Sequence, residues 1–303
     1  VLHLCGWLHK PKEVEAIASA QKFPQFVSGS QATGSVGAGK GKRTLLYQAL
    51  YKAVGGKDKW RPRFQTIGDC VSMGAGGAVD ILRALEFVMN KSEYIAETAT
   101  EPIYAGSRVE IGKGQLGNGD GSVGAWAAEW VKRGGTLVRQ KYGKIDLSVY
   151  DGNRAKQWGA PDAGCPDDLE PESRKHLVKT ISLVTTFSEL CDAIAAGYPV
   201  TVASNQGFTN VRDKAGFLRP SGNWGHQMVF IAADDESGRP GALCQNSWGP
   251  DWVSGPTTFD QPLGSFWIDA EVIERNMLSM QDSWAYSDLD GYPVKKFNLG
   301  DIF

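Results

Sequence analysis

The 303-residue chain has only four histidines and five cysteines, no excess of either charge, and no long apolar run. Each shortage narrows what the chain can do. Lys and Arg total 32 against 34 Asp and Glu, a formal charge of −2, so no global field draws the chain to nucleic acid or to an anionic membrane surface. No apolar stretch approaches the ~18 residues of a membrane-spanning helix. The opening VLHLCGWLHK is too short and too polar for a signal peptide. The expectation is a soluble protein of undetermined compartment. Cys5, Cys70, Cys165, Cys191 and Cys244 form an odd, scattered set rather than a disulfide framework, which fits a reducing compartment and is compatible with a virion. His3 and His9 flank Cys5 without the further ligand that a zinc site needs, and nothing near Cys165 supplies one. No metal and no organic cofactor are expected.

Two glycine-rich segments fall short of ligand-binding motifs. GSQATGSVGAGKGK puts Gly34, Gly39 and Lys40 at the offsets of a phosphate-cradling loop, but position 41 is Gly where a magnesium-holding hydroxyl belongs, and no apolar strand precedes it. A flexible, exposed loop over 34–42 is expected, its lysines open to an acidic partner. In GKGQLGNGDGS, Asn118, Asp120 and Ser122 alternate as in a calcium loop, but the closing glutamate is missing.

Regular elements are well marked. Helices are expected from Pro11 to Gln21, Thr44 to Val54, Cys70 to about Asn90 and Ser122 to Arg133, each from apolar spacing of three and four residues or from Pro and Gly at the ends. Pro102–Val109 reads as extended, and Leu147–Leu169 as loop. Past residue 176 the pattern changes: strands are expected at Ile181–Thr186, Pro199–Ser204, Gln227–Ala233, Ala242–Trp248 and Ser265–Asp269, with a helix at Phe187–Ala196. Helices before 140 and short strands after 180 predict an α+β fold of two lobes, the first helical, the second a β-barrel or antiparallel sheet.

Cys70 follows a glycine-containing turn in QTIGDCVSM and opens a helical pattern. At a helix N-terminus the dipole favours the thiolate; a buried structural cysteine is the other reading. Of the histidines, His176 lies in the charged RKHLVK, whereas His226 stands between a Gly/Asn turn and an apolar strand, a placement that suits a general base or a core histidine. Twenty residues on, the next strand ends at Asn246. A thiol nucleophile needs a base and a group that orients that base, and Cys70, His226 and Asn246 supply the three residue types in that order.

These residues resemble a papain-like cysteine peptidase. The likeness is strongest at Asn246-Ser247-Trp248-Gly249 with Trp252 after it, and is supported by Trp60-Arg61, by Gln65 and by the Asn118-Gly119-Asp120-Gly121 strip before the Trp126 helix; it spans about residues 58–270. The resemblance implies a two-lobe catalytic domain over 58–275, with a helical lobe near 58–145 and a β lobe near 176–275. Residues 1–57 would be an N-terminal arm with peripheral helices, and 276–303 a C-terminal tail. It implies a Cys70–His226–Asn246 triad, Gln65 at the oxyanion, substrate backbone along Gly119 and Gly121, Trp248 shielding the Asn246–His226 hydrogen bond, and a peptide or protein substrate. The chain departs from the family pattern at several places. Gln65 precedes Cys70 by five residues rather than six, Val71 replaces an aromatic, and Gln227 replaces a small residue. Asp69 puts a carboxylate beside the thiol, which would raise its pKa. No inhibitory propeptide is recognisable before Cys70. A second expectation follows from these departures: a papain-like scaffold with little or no turnover, serving a larger assembly such as a virus particle through the N-terminal arm and through a tail rich in Trp284, Tyr286 and Tyr292.

Overall fold

Helix formation from Cys70 onward organises the molecule. The computed structural model describes residues 4–20, 36–89 and 96–287; His3, Gly34 and Tyr292, singled out above, lie outside them. In chain order the longer helices are α1 (Pro11–Ala20), α2 (Tyr47–Val54), α3 (Cys70–Val88), α4 (Glu101–Gly106), α5 (Gly124–Arg133), α6 (Gly152–Trp158) and α7 (Phe187–Ala195), with short helical turns at Glu170–Ser173 and Ala270–Val272 besides. Along α3, Val71, Ala75, Ala78, Leu82 and Leu85, on the side marked by their three-and-four spacing, are all buried, and so are residues on its other sides such as Met73, Val79, Ile81 and Ala84, because the helix runs through the interior. Asp80, on the same helix, accepts from the backbone N–H of Thr98 at 2.7 Å and pairs with Arg63, so its burial leaves no unsatisfied charge.

The strands are β1 (Arg43–Leu45), β2 (Thr98–Ala99), β3 (Leu137–Val138), β4 (Lys141–Tyr142), β5 (Ile145–Asp146), β6 (Thr180–Leu183), β7 (Val200–Phe208), β8 (Pro220–Asp234), β9 (Gly241–Gln245), β10 (Ser265–Asp269) and β11 (Ser283–Ser287). The main sheet runs β10-β9-β8-β7-β11-β6, with β1 added on β8; its pairings are antiparallel. Pairing does not close it into a barrel among the described residues, so an open antiparallel sheet replaces the barrel alternative. β2–β3 and β4–β5 are separate small pairs. Helix α3 lies against β8, which joins the helical half to the sheet. The α+β, two-lobe architecture expected from element order is what forms.

Several segments differ from expectation. Pro102–Val109, read as extended, falls instead in α4 and in the π-helical turn over Ser107–Ile111 that follows it; Pro102 in the first turn is compatible with a helix start. Residues 152–158, read as loop, are α6, capped by Asp151, whose carboxylate accepts from the N–H groups of Asn153 and Arg154. The described part of the glycine-rich loop is not free. Asp192 accepts from Gly37 and Gly39 N–H at 2.9 Å each, and Asp235 from Gly41 N–H at 2.8 Å, so backbone donors that could have cradled an anion hold the chain's own carboxylates. Trp284 and Tyr286, set in a tail by the sequence division, are fully buried in β11 between β6 and β7. Their alternation with Ser283, Ala285 and Ser287 is the strand signal that was available. No helix among the described residues is long and apolar enough to cross a membrane.

Candidate active site

Sheet register sets two of the three triad candidates. Val229 of β8 pairs with Gln245 at the end of β9, so Asn246, just past the end of β9, comes alongside the middle of β8, where His226 stands opposite Ser204 of β7. His226 Nε2 and Asn246 Oδ1 are 2.8 Å apart, and Asn246 Oδ1 also accepts from Ser247 N–H at 2.7 Å. A carbonyl oxygen only accepts, so Nε2 carries the imidazole proton and Nδ1 keeps its lone pair. Nδ1 is buried and has no hydrogen-bond partner. Trp248 packs on the imidazole with ring centroids 4.6 Å apart, and Trp224 and Trp252 pack edge-on around it at 4.8 and 5.4 Å. His226 and Asn246 are both buried beside these rings.

The third candidate comes from the other lobe. Cys70 begins α3, and its Sγ accepts from the N–H of Gln227, the residue after His226, at 3.4 Å. The Gln227 side chain donates to Val71 O at 3.0 Å, which ties β8 to the start of α3. Phe64 bridges Trp248, Gln65 N–H donates to Ser247 O at 2.9 Å, and Ser247 Oγ donates to Gln65 Oε1 at 2.5 Å. The other end of the Gln65 amide faces two carbonyl oxygens, which only accept, so that end is Nε2.

The cleft between these groups is filled by the chain itself. Residues 4–8 pass through it: Trp7 N–H donates to Gly225 O at 2.9 Å, Ser122 N–H to Gly6 O at 2.8 Å and Leu8 N–H to Ser122 O at 2.9 Å, a parallel bridge. Gln65 Nε2 donates to Leu4 O at 2.7 Å and to Ile67 O at 2.8 Å. Gly6 N–H hydrogen-bonds the Cys70 sulfur. The fit requires glycine at residue 6: a Cβ there would sit 1.8 Å from Gly68 O.

Burial under this segment decides the electrostatics. Cys70 and His226 are both enclosed. Burial pushes the Cys70 thiol up to about 12, against smaller opposing effects from the Gln227 and Gly6 N–H groups. Burial likewise lowers His226 to about 4, partly countered by its bond to Asn246. The thiolate expected from the helix dipole is therefore not the state of this closed site, because desolvation outweighs the dipole. Asp69 is pushed by burial up to about 8, partly offset by the Tyr150 hydroxyl that donates to it at 2.9 Å. It is largely a neutral acid at pH 7, and its influence on Cys70 is the smallest of those acting.

The structure thus assembles Cys70, His226, Asn246, Gln65 and Trp248 in one place. Gly121 lies against the same segment, where a Cβ would come within 2.6 Å of Gly6 O at a φ of 108°. Gly119 is not paired with it and instead lines a groove with Tyr104, Arg108 and Lys156. The backbone pairing expected of Gly119 and Gly121 is made by Ser122. Two participants went unread in the sequence, Trp7 and the buried Asp282 that its indole N–H reaches; neither stands in a motif, and only tertiary packing brings them together. Among the described residues no group of three or more His, Cys, Asp or Glu could hold a metal.

No family model and no curated protein matches the chain. Among solved structures, xylellain, a cysteine protease from Xylella fastidiosa, matches with a TM-score of 0.57 at 14% identity, over 95% of this chain and 93% of that one. Digestive procathepsin L 3 of the Tenebrio molitor larval midgut matches with a TM-score of 0.50 at 14% identity, over 86% of this chain and 79% of that one. At such identity the likeness is one of architecture: the chain has the two-lobe, papain-like α+β fold.

Proposed function

We propose that the chain is a papain-like cysteine peptidase or related thiol acyl-transferase, held closed by its own residues 4–8. The observation that carries the reading is the His226–Asn246 bond, which leaves Nδ1 unprotonated and unpartnered in the closed cleft, with the Cys70 sulfur from the facing lobe held by the N–H of the very next residue, Gln227. Once the cleft is hydrated, desolvation no longer holds both groups neutral, and a thiolate–imidazolium pair can form. Cys70 attacks a peptide or amide carbonyl. Gln65 Nε2, which now donates to Leu4 O, and the Cys70 backbone N–H donate to the oxyanion, each worth about 3 kcal/mol at such sites. The imidazolium protonates the leaving amine, and water then releases the acyl group. Asn246 orients the ring throughout. The reaction needs no metal or organic cofactor.

Gly6→Ala tests this without touching the triad. The added methyl cannot seat against Gly68 O, so the segment is displaced. Iodoacetamide is expected to label Cys70 in Gly6→Ala at least about tenfold faster than in the wild type, while Cys165, buried elsewhere, is unaffected, and peptide turnover appears. Equal labelling of Cys70 and Cys165 in the opened variant would sink the reading. The second reading, a scaffold that binds without turnover, is favoured by the filled cleft; it predicts an opened Cys70 that labels no faster than an ordinary thiol and cleaves no peptide. Under that reading assembly partners engage the N-terminal arm or the C-terminal tail.

A further inference from the structure

The cleft segment ends in a side chain whose partner is unusual. Trp7 Nε1 donates to Asp282 Oδ2 at 2.8 Å, in the interior. Asp282 is fully buried. Its other donors are Gly124 N–H at 2.9 Å to Oδ2 and Trp284 Nε1 at 2.8 Å to Oδ1, together with the Ala125 N–H. All are neutral, and among the described residues no Lys or Arg forms an ion pair with Asp282.

A second acceptor converges on the same spot. Gln227 is fully buried, and its Oε1 has no hydrogen-bond partner. A Cβ placed on Gly124 would lie 2.7 Å from Gln227 Oε1 and 2.7 Å from Asp282 Oδ1, so the two oxygens face one small space over Gly124, next to the carboxylate that the Trp7 indole meets through Oδ2. A single indole N–H serves one oxygen and leaves the other unmatched. A buried, unpaired acceptor is costly, and so is a buried carboxylate with no cation.

Residue 7 is also the one whose backbone N–H reaches Gly225 O, next to His226. Any extended peptide that displaces residues 4–8 and keeps these backbone bonds puts one of its side chains where the indole now lies. A guanidinium has five donors in a planar fork, and an ammonium has three. Either supplies both the charge and the extra donors that Trp7 lacks.

Resting on the peptidase reading, we propose that this pocket selects peptides carrying arginine or lysine at the position Trp7 occupies, with Asp282 and Gln227 Oε1 as the recognising acceptors. The segment 4–8 is then an imperfect occupant, matching the pocket in shape and in one hydrogen bond but not in charge.

Two measurements on the full chain test this. The first exchanges the occupant: Trp7→Arg and Trp7→Leu are compared by the rate at which iodoacetamide labels Cys70, which reports how firmly the segment closes and needs no turnover. Labelling is expected to be roughly tenfold or more slower in Trp7→Arg than in Trp7→Leu, the gain typical of a charge-assisted hydrogen bond. The gap should shrink in an Asp282→Asn background. Equal rates, or faster labelling of Trp7→Arg, would overturn the proposal, and the wild-type background decides this even if Asp282→Asn fails to fold. The second measurement presents Gly6→Ala with peptide sets that place Arg, Lys or Leu at each position before the scissile bond. A clear preference for Arg and Lys at one position supports the inference, and preference for Leu at every position overturns it. Absence of turnover with all peptides counts against the peptidase reading alone, because the labelling pair decides the pocket separately.

Discussion

Asp69 and Cys70 are neighbours in the chain and His226 precedes Gln227, whose N–H reaches the Cys70 sulfur, yet burial moves their protons in different senses. A carboxyl raised to about 8 keeps its proton in the folded state where the unfolded chain has lost it. Asp69 therefore contributes stability that is full below its unfolded value near 4 and is lost as pH rises toward 8. His226, lowered to about 4, works the other way: between about 6.5 and 4 only the unfolded chain takes up the proton, so stability is lost as pH falls through that window. From pH 6.5 to 8, Asp69 is the one of the two that acts. Asp69→Asn, which cannot titrate, is expected to flatten the decline of melting temperature over that range relative to the wild type. Parallel profiles for the two chains would show that Asp69 does not hold the proton.

At the scale of elements, the helical lobe is tied by one carboxylate. Glu101 at the start of α4 receives Arg139 Nη1 at 2.6 Å and Arg154 Nη2 at 2.7 Å, and also accepts from Asp151 N–H at 3.1 Å. It is fully buried. Glu101→Gln removes the counter-charge of Arg154 and leaves Arg139 only its longer pair with Glu97 at 3.5 Å, so a loss of about 3 kcal/mol in denaturant unfolding is expected; a loss under about 1 kcal/mol would mean that Glu97 and other groups take over. This network also explains what the sequence could and could not tell. The apolar spacing of α3, α5 and α7 and the β-branched runs of β7 and β8 are local signals, and they were legible. The start of α4 is held in part by Arg139, which pairs with Glu101, and α6 ends where Gly159 O accepts from Arg108, so the patterns of these two segments were weak on their own. At the site, the motif around Asn246 and its spacing to His226 were legible, because strand register is short-range. The filling of the cleft was not, because nothing in CGWLH states which groove it will enter.

For the whole molecule, the two halves meet where α3 lies on β8. A Cβ on Gly74 would approach Met228 O at 3.1 Å and the Gln227 side chain at 3.2 Å, and one on Gly77 would meet Val229 Cγ1 at 3.1 Å. Gly74→Val forces this interface apart, with an expected loss of about 1–3 kcal/mol from overpacking and a fall in any turnover of the Gly6→Ala chain, since Cys70 and Gln227 move relative to each other. An unchanged melting temperature would mean that the interface is looser than its spacing indicates. The hydrogen bonds of residues 4–8 across this junction have one more consequence. The segment is a competitor tethered to its own receptor, present at an effective concentration on the order of millimolar whatever the bulk concentration. Dilution does not release it. A free peptide displaces it only when concentration times affinity outruns that fixed local supply, so onset of binding is set by the peptide and not by the amount of protein.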